Sequence, residues 1–367
     1  MDNIKGNQID NGSTTDAQRK PTDFEIGLYT FGDLVPGQDG STISAKQRLR
    51  EIIDAAKLAD DAGLDVFGVG EHHTLEFAAT STPVVLAAIA QATERIRLTS
   101  ATTVLSTVDP VRLFEDFATV DLLSDGRAEI IAGRGAFVDS FPLFGYNLDD
   151  YSNLFSEKID LLLKLGENDR TTWNGRFRSA LNDLEIAPRP AQSELPVWIG
   201  VGGTPQSAVN AGRLGLGMAL ALLGGAPEGA KHLVELYREA GLKAGHHPSR
   251  LKVAVSSHGY VAETSQQARD EFYPYYSSYF EQFLGRRTGR GRISRPEFEQ
   301  MARPETALAV GSPEQVIEKI MHQHELFGHS RFMAQIDIGG MPYSQVAKAI
   351  ELLAVKVAPV VRRELAL

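Results

Sequence analysis

From Phe24 onward the chain repeats one rhythm, a short apolar run followed by a segment with helical spacing, eight times over. The runs are Phe24–Phe31, Asp65–Gly70, Ile96–Leu105, Arg127–Gly133, Pro196–Gly202, Gly215–Leu222, Leu251–Ala262 and Arg331–Gly339. Most lack the strict polar–apolar alternation of a strand with one wet face. They read instead as strands buried on both sides, the habit of parallel sheets. Between them the spacing predicts helices over Ser44–Ala62, Thr82–Thr93, Pro110–Leu123 and Tyr151–Leu165. Further helices are predicted from Thr204-Pro205, over Glu228–Ala244, from Ser312 and over Ser344–Arg363. Eight such units in order predict an α/β fold, a (β/α)₈ TIM barrel, in preference to a doubly wound sheet. The stretch TTWNGRF predicts a hairpin turning at Asn174-Gly175.

On this reading residues 23–367 are a single domain, and the polar, aperiodic residues 1–22 are a disordered leader. One long interruption, about residues 263–311, follows the seventh strand. It holds an aromatic run, Tyr273–Phe280, and a basic run, Gly285–Arg295, whose only apolar residue is Ile293. An insertion there lands on the C-terminal face of a barrel, where active sites sit. The insertion is expected to be an active-site lid, and its basic run Gly285–Arg295 is expected to be unable to bury itself.

Composition removes several classes of function. Without cysteine there is no disulfide, no thiolate nucleophile and no Cys-based zinc site. A net charge of −10 gives no global attraction to nucleic acid or to an anionic membrane surface. No apolar stretch approaches the ~18–20 residues of a membrane-spanning helix, and the N-terminus lacks the order of a signal peptide. A cytoplasmic protein is expected.

The triplet Glu71-His72-His73 directly follows the second strand, on the catalytic face. Imidazole titrates near working pH, and a neighbouring carboxylate can tune it. Adjacent residues leaving a strand diverge, so one histidine is expected to face the mouth and the other to pack sideways. A metal is not expected, since no third ligand accompanies the pair. Gly133-Arg134-Gly135 ends the fourth strand, and arginine between glycines suits a phosphate. After the fifth strand, Gly202-Gly203-Thr204-Pro205-Gln206-Ser207 reads as a helix start with Thr204 as cap, a ready anion site. Ser312-Pro313-Glu314-Gln315 has the same cap chemistry with no cation beside it and is taken as structural.

These pieces, in this order, resemble the bacterial luciferase-like, flavin-dependent monooxygenases, most closely over Gly68–Gly135 and Val197–Met218. The resemblance implies a reduced-flavin site at the barrel mouth, with Glu71 beside the flavin and His72 as catalytic base. Ala101 and Thr102 fall where the family has a non-proline cis peptide under the flavin ring. Arg134 would contact the phosphate, helped by Ala136 and Phe137, and Val201, Gly202, Gly203, Thr204 and Ser207 would complete the cradle. Two positions depart from the luciferase pattern: Gly133 replaces a reactive cysteine, and Gly203 an acidic residue. The resemblance also implies FMN supplied by a separate reductase, O₂ and a small organic substrate as reactants, and a homodimer through early barrel helices such as Thr82–Thr93. A deazaflavin-dependent hydride transferase and a non-catalytic flavin-binding protein are the alternatives.

Overall fold

The computed structural model describes residues 24–36, 40–285, 289 and 291–366. The expected leader lies outside them, as do residues 286–288 and 290 of the basic run. Eight parallel strands close into a barrel: β1 (Glu25–Thr30), β2 (Val66–Val69), β3 (Arg97–Ser100), β4 (Ala128–Gly133), β5 (Val197–Val201), β6 (Gly217–Ala221), β7 (Val253–Val261) and β8 (Arg331–Gln335). Closure comes from β7 pairing with both β6 and β8, and from β8 pairing with β1 in the register Leu28↔Ala334. The outer ring includes α1 (Ala45–Asp61), α2 (Thr82–Ala92), α3 (Pro110–Leu123), α4 (Tyr151–Glu167), α5 (Pro205–Arg213) and α6 (Lys231–Lys243).

Strand alternation sorts the side chains. Ile26 and Leu28 of β1 point outward into the main core beneath the helices, whereas Tyr29 joins Val66 and Met333 inside the lumen. Ile131, Trp198, Ala219 and Ala254 form a second lumen cluster. Below it, at the N-terminal end, lies a layer of charge. Arg331 is 2% exposed and holds Glu129 at 2.7 Å and Glu25 at 2.6 Å, while Arg97 lies 3.3 Å from Glu129 and 3.4 Å from Glu25.

Four sequence expectations are corrected. The third strand does not run unbroken from Ile96 to Leu105; it stops at Ser100, and the Ala101–Thr102 peptide that follows is cis. The hairpin forms between Arg170–Trp173 and Leu181–Glu185, so residues 174–180 make its loop rather than a two-residue turn. The C-terminal helix is not uniform; α-helix Tyr343–Leu352 passes through a π-helical turn, Leu353–Val357, before Ala358–Leu365.

The largest correction concerns the insertion, which is helical over most of its length. Thr264 caps α7 (Ser265–Tyr279), which continues as a π-helical turn through Gly285. Ser294 and Glu297 form a reciprocal capping box at the start of α8 (Arg295–Met301). Ile293 is 3% exposed, Arg292 pairs with Glu281 at 2.6 Å, and Arg295 pairs with Asp270 at 2.7 Å. Part of the basic run is therefore spent on fixing the segment. After α8, Ala309–Gly311 adds a short parallel strand along the overhanging end of β7. Then α9 (Pro313–Phe327) begins, its first turn capped by Ser312.

Candidate active site

The predicted residues leave the C-terminal ends of four adjacent strands, β2 through β5. Glu71 is fixed by two donors: the Val104 N–H at 2.9 Å and the His73 ring at 2.8 Å. His73 also packs edge-on against Phe144, at 4.9 Å between ring centres. His72 turns the other way, into an aromatic box. It stacks on Phe77 at 4.1 Å and meets Phe31 and Phe137 edge-on, each at 4.8 Å. Burial in that box, with His73 nearby, pushes the His72 pKa down to about 3, so the ring is neutral at working pH. The two histidines thus diverge as expected, with His72 at the mouth and His73 holding Glu71.

The insertion reaches this box. Phe283, in the π-helical turn after α7, lies 4.7 Å from Phe77 and 4.9 Å from Tyr279. It covers the cluster that contains His72.

Beside the box the mouth is cleared by glycines. A Cβ at Gly68 would come within 2.9 Å of the Ala101 Cβ, and one at Gly70 within 2.5 Å of the Phe31 ring. At Gly133 it would lie 2.5 Å from the Thr102 hydroxyl oxygen, and at Gly200 it would lie 3.0 Å from the Thr102 methyl carbon. Glycine at 133 and 200 lets β4 and β5 pass under Thr102 without displacing its side chain. The absence of a cysteine at 133 therefore has a steric reason here.

Arg134 follows Gly133 and lies 5.2 Å from the Tyr151 ring centre, while the Tyr151 hydroxyl donates to the Gly135 carbonyl at 2.8 Å. Among the described residues no carboxylate pairs with Arg134. Ala136 is exposed, and Phe137 turns inward to touch His72. Val201 and Ser207 are buried, whereas Gly202, Gly203 and Thr204 lie exposed at the head of α5. An added Cβ would meet nothing at Gly202 or Gly203, and Gly203 has a φ of +107°, which favours glycine. Thr204 occupies the cap position, but its side chain makes no capping bond. Pro205 has no N–H and the Ser207 N–H donates to the Thr204 carbonyl at 3.0 Å, so the Thr204 hydroxyl and the Gln206 N–H are the donors left at this helix start. An unpaired guanidinium, a glycine-lined floor and an open helix start on neighbouring strands suit a flat, phosphate-bearing group. Among the described residues no group of three or more His, Asp or Glu is placed to hold a metal, and no helix is long and apolar enough to cross a membrane.

Sequence reasoning missed the other half of the mouth, on β7, β8 and β1. There Asp337 accepts from Thr30 at 2.5 Å and from Arg48 at 2.6 Å, and Asp33 accepts from the Gly339 N–H at 2.8 Å. Burial pushes the Asp33 pKa up to about 6, against the nearby Arg48 cation. Next to them the Tyr29 and Tyr276 hydroxyls, both ring nitrogens of His258 and the Gln335 amide have no hydrogen-bond partner, although each residue is at most 4% exposed. A buried polar group left unpaired costs about 1–3 kcal/mol. The available signal was a single polar residue at an inward position near the end of an apolar strand: Tyr29, His258 and Gln335 each fit.

Known proteins bear on this geometry. The model of the luciferase-like monooxygenases matches residues 29–330. The oxygenase component of a flavin-dependent trigonelline monooxygenase from Acinetobacter baylyi is 25% identical over 354 residues, 92% of this chain and 95% of that one. An F420-dependent glucose-6-phosphate dehydrogenase from Amycolatopsis mediterranei is 31% identical over 176 residues, 46% of this chain and 52% of its own. A monooxygenase from Streptomyces bottropensis superposes with a TM-score of 0.81 at 25% identity, covering 92% of this chain and 99% of that one. With the barrel, its mouth and this match all in agreement, the chain belongs to the luciferase-like monooxygenase family.

Proposed function

We propose that the chain is the oxygenase component of a two-component monooxygenase, using reduced FMN from a separate flavin reductase, with O₂, on a small organic substrate. The observation that carries this reading is the unpaired Arg134 beside a glycine-cleared mouth. The full-length similarity to an oxygenase component supports the reductase as partner. Bound there, reduced FMN would supply the electrons that activate O₂.

The remaining work falls to the chain's own residues. Ala101 and Thr102, above Gly68, Gly133 and Gly200, form a floor for a planar ring. Arg134, the backbone of Ala136 and Phe137, and Val201, Gly202, Gly203, Thr204 and Ser207 would hold the phosphate and its chain. His72, neutral in its box, can accept a proton at a ring nitrogen, while Phe31, Phe77 and Phe137 keep water away. Glu71, held by Val104 and His73, keeps a fixed carboxylate beside it.

The test is a pair of titrations. A charge-assisted contact is worth about 1.5–3 kcal/mol, so Arg134→Ala should weaken FMN binding at least tenfold and leave riboflavin binding nearly unchanged. Equal losses for both ligands would sink the phosphate assignment. The F420-dependent relative favours a second reading, hydride transfer with a deazaflavin in the same cradle. Tighter binding of F420 than of FMN, without O₂ consumption, would select it.

The proposal extends to a homodimer through α2 and α3, where Val84 is 67% exposed and Leu122 and Leu123 are 47% and 44% exposed. Apolar faces of that kind suit burial against a second copy. Light scattering at micromolar concentration should give twice the chain mass; a monomer would overturn this part.

A further inference from the structure

Tyr29, His258, Gln335 and Tyr276 lie side by side. Tyr29 and Gln335 follow the paired residues Leu28 and Ala334 on β1 and β8, and His258 is the register partner of Gln335 on β7. Tyr276 comes down from α7 with its ring 5.6 Å from that of His258, and Tyr279 stands at the same distance. Native interiors pair their buried polar groups with protein, water or a ligand. Four unpartnered side chains on one wall are not the scatter that packing leaves behind.

The wall also borders the aromatic box around His72. The Tyr29 ring lies 5.5 Å from Phe31, which touches His72, and Tyr279 touches Phe283 of the aromatic box. The four side chains are themselves neutral, and beside them the Asp33 and Asp337 carboxylates each keep one buried oxygen without a hydrogen-bond partner. Two phenols and a primary amide can both donate and accept, and a neutral imidazole offers one donor and one acceptor. The nearby cation, Arg48, is already engaged by Asp337. A carboxylate ligand would meet the Asp33 and Asp337 carboxylates, which already share that one cation, and a long alkyl chain would leave the four side chains unpaired.

We propose that these four side chains are the substrate-recognition wall, and that the substrate is a small, neutral compound bearing both hydrogen-bond donors and acceptors. Its designation as substrate, rather than simply ligand, rests on the flavin reading above. Tyr276 belongs to the inserted helix, so the insertion supplies part of the specificity as well as a cover.

The experiment is calorimetric titration of the flavin-free full chain with three probes: 4-hydroxybenzamide, 4-hydroxybenzoate and decanal. The benzamide should bind best. Tyr29→Phe, Tyr276→Phe and Gln335→Met should each weaken it about tenfold, the worth of one hydrogen bond. None of the three should melt below the wild type without probe, because none loses a protein partner. Equal or tighter binding of benzoate or decanal, no benzamide binding at millimolar concentration, or unchanged affinity in the variants would overturn the proposal. So would variants that melt several degrees lower, since the groups would then be serving the fold through ordered water. FMN titrated into the same samples keeps the two readings apart. Benzamide binding without FMN binding removes the flavin assignment and leaves the wall, and the converse removes the wall alone.

Discussion

At the N-terminal end of the barrel lumen, Arg331 bonds Glu129 through two nitrogens, at 2.7 and 3.1 Å, and Glu25 through a third contact at 2.6 Å. At the C-terminal end, Tyr29, His258, Gln335 and Tyr276 are equally buried and find no protein partner. Both ends bury polar groups, and the C-terminal end, where Asp337 pairs with Arg48 and Thr30, still leaves these four side chains unsatisfied. Pairing marks the end that serves the fold, because breaking a buried pair costs stability. The lack of pairing marks the end kept for something that arrives from outside.

The largest expected effect is at the floor. Arg331→Met leaves Glu129 and Glu25 with Arg97 alone, at 3.3 and 3.4 Å, and should lower the unfolding free energy by about 3 kcal/mol, measured in urea. FMN and probe affinities should change by less than about twofold, since the mouth is one strand length away. Replacing Glu129 by Leu in the same chain should recover much of the loss, because the charge left behind carries the penalty. A large loss of FMN affinity in Arg331→Met would erase the division between the two ends.

The two ends should also answer pH with opposite signs. Burial alone would raise the Glu129 carboxyl, but Arg331 and Arg97 hold it at about 2. Its folded pKa lies below its unfolded one, so its contribution is present above about pH 4.5 and is lost as pH falls toward 2. Asp33 runs the other way: burial raises it from 3.8 to about 6. Folding then favours its protonated form, and stability is lost as pH rises from 3.8 to 6, by an amount on the order of 3 kcal/mol. Asp33→Asn keeps an acceptor for the Gly339 N–H. Compared with wild type by urea unfolding at pH 4 and pH 7, it should gain stability at the higher pH only. An equal effect at both would mean that Asp33 is ionised throughout.

This division explains what the sequence let one read. The eight barrel strands were legible because each is a local apolar run, and the glycines and Arg134 because they follow those runs directly. The ionic floor was not, since Arg331 and Glu129 are 202 residues apart and only barrel closure brings them together. The same holds for Arg48 and Asp337, 289 residues apart. The insertion was misjudged for a different reason. Glycine and arginine between residues 285 and 295 suggest open chain, but the Ser294–Glu297 capping box and the Arg295–Asp270 pair give that region fixed partners. Its contribution to the mouth, Tyr276 within the aromatic run and Phe283 just beyond it, could not be oriented from sequence alone.

A somewhat smaller effect is expected at His72, which lies at the mouth with its ring packed against Phe31, Phe77 and Phe137. A positioned acid–base group contributes roughly 10²–10⁴-fold. His72→Ala should therefore cut turnover at least a hundredfold while FMN affinity stays within about threefold. His73→Ala should act differently. It frees Glu71 from one of its two donors, and should lower turnover less than His72→Ala does. Wild-type turnover in His72→Ala would remove it from the chemistry.

The smallest effect tests the glycine floor itself. At Gly133 an added methyl would stand 2.5 Å from the Thr102 hydroxyl oxygen, and the hydroxyl is short and close to the backbone, so it has little room to swing aside. Overpacking of this kind costs about 1–3 kcal/mol. Gly133→Ala should lie at the low end in stability and should lift Thr102 into the space meant for a planar ring, weakening FMN several-fold. Removing the obstacle should reverse both losses, so Thr102→Ala in the Gly133→Ala background should bind FMN better than Gly133→Ala alone. The two changes would then be non-additive, as expected for side chains in direct contact. Additive losses would mean that Gly133 is required by the local backbone of β4, and that Thr102 lies over the floor without depending on it.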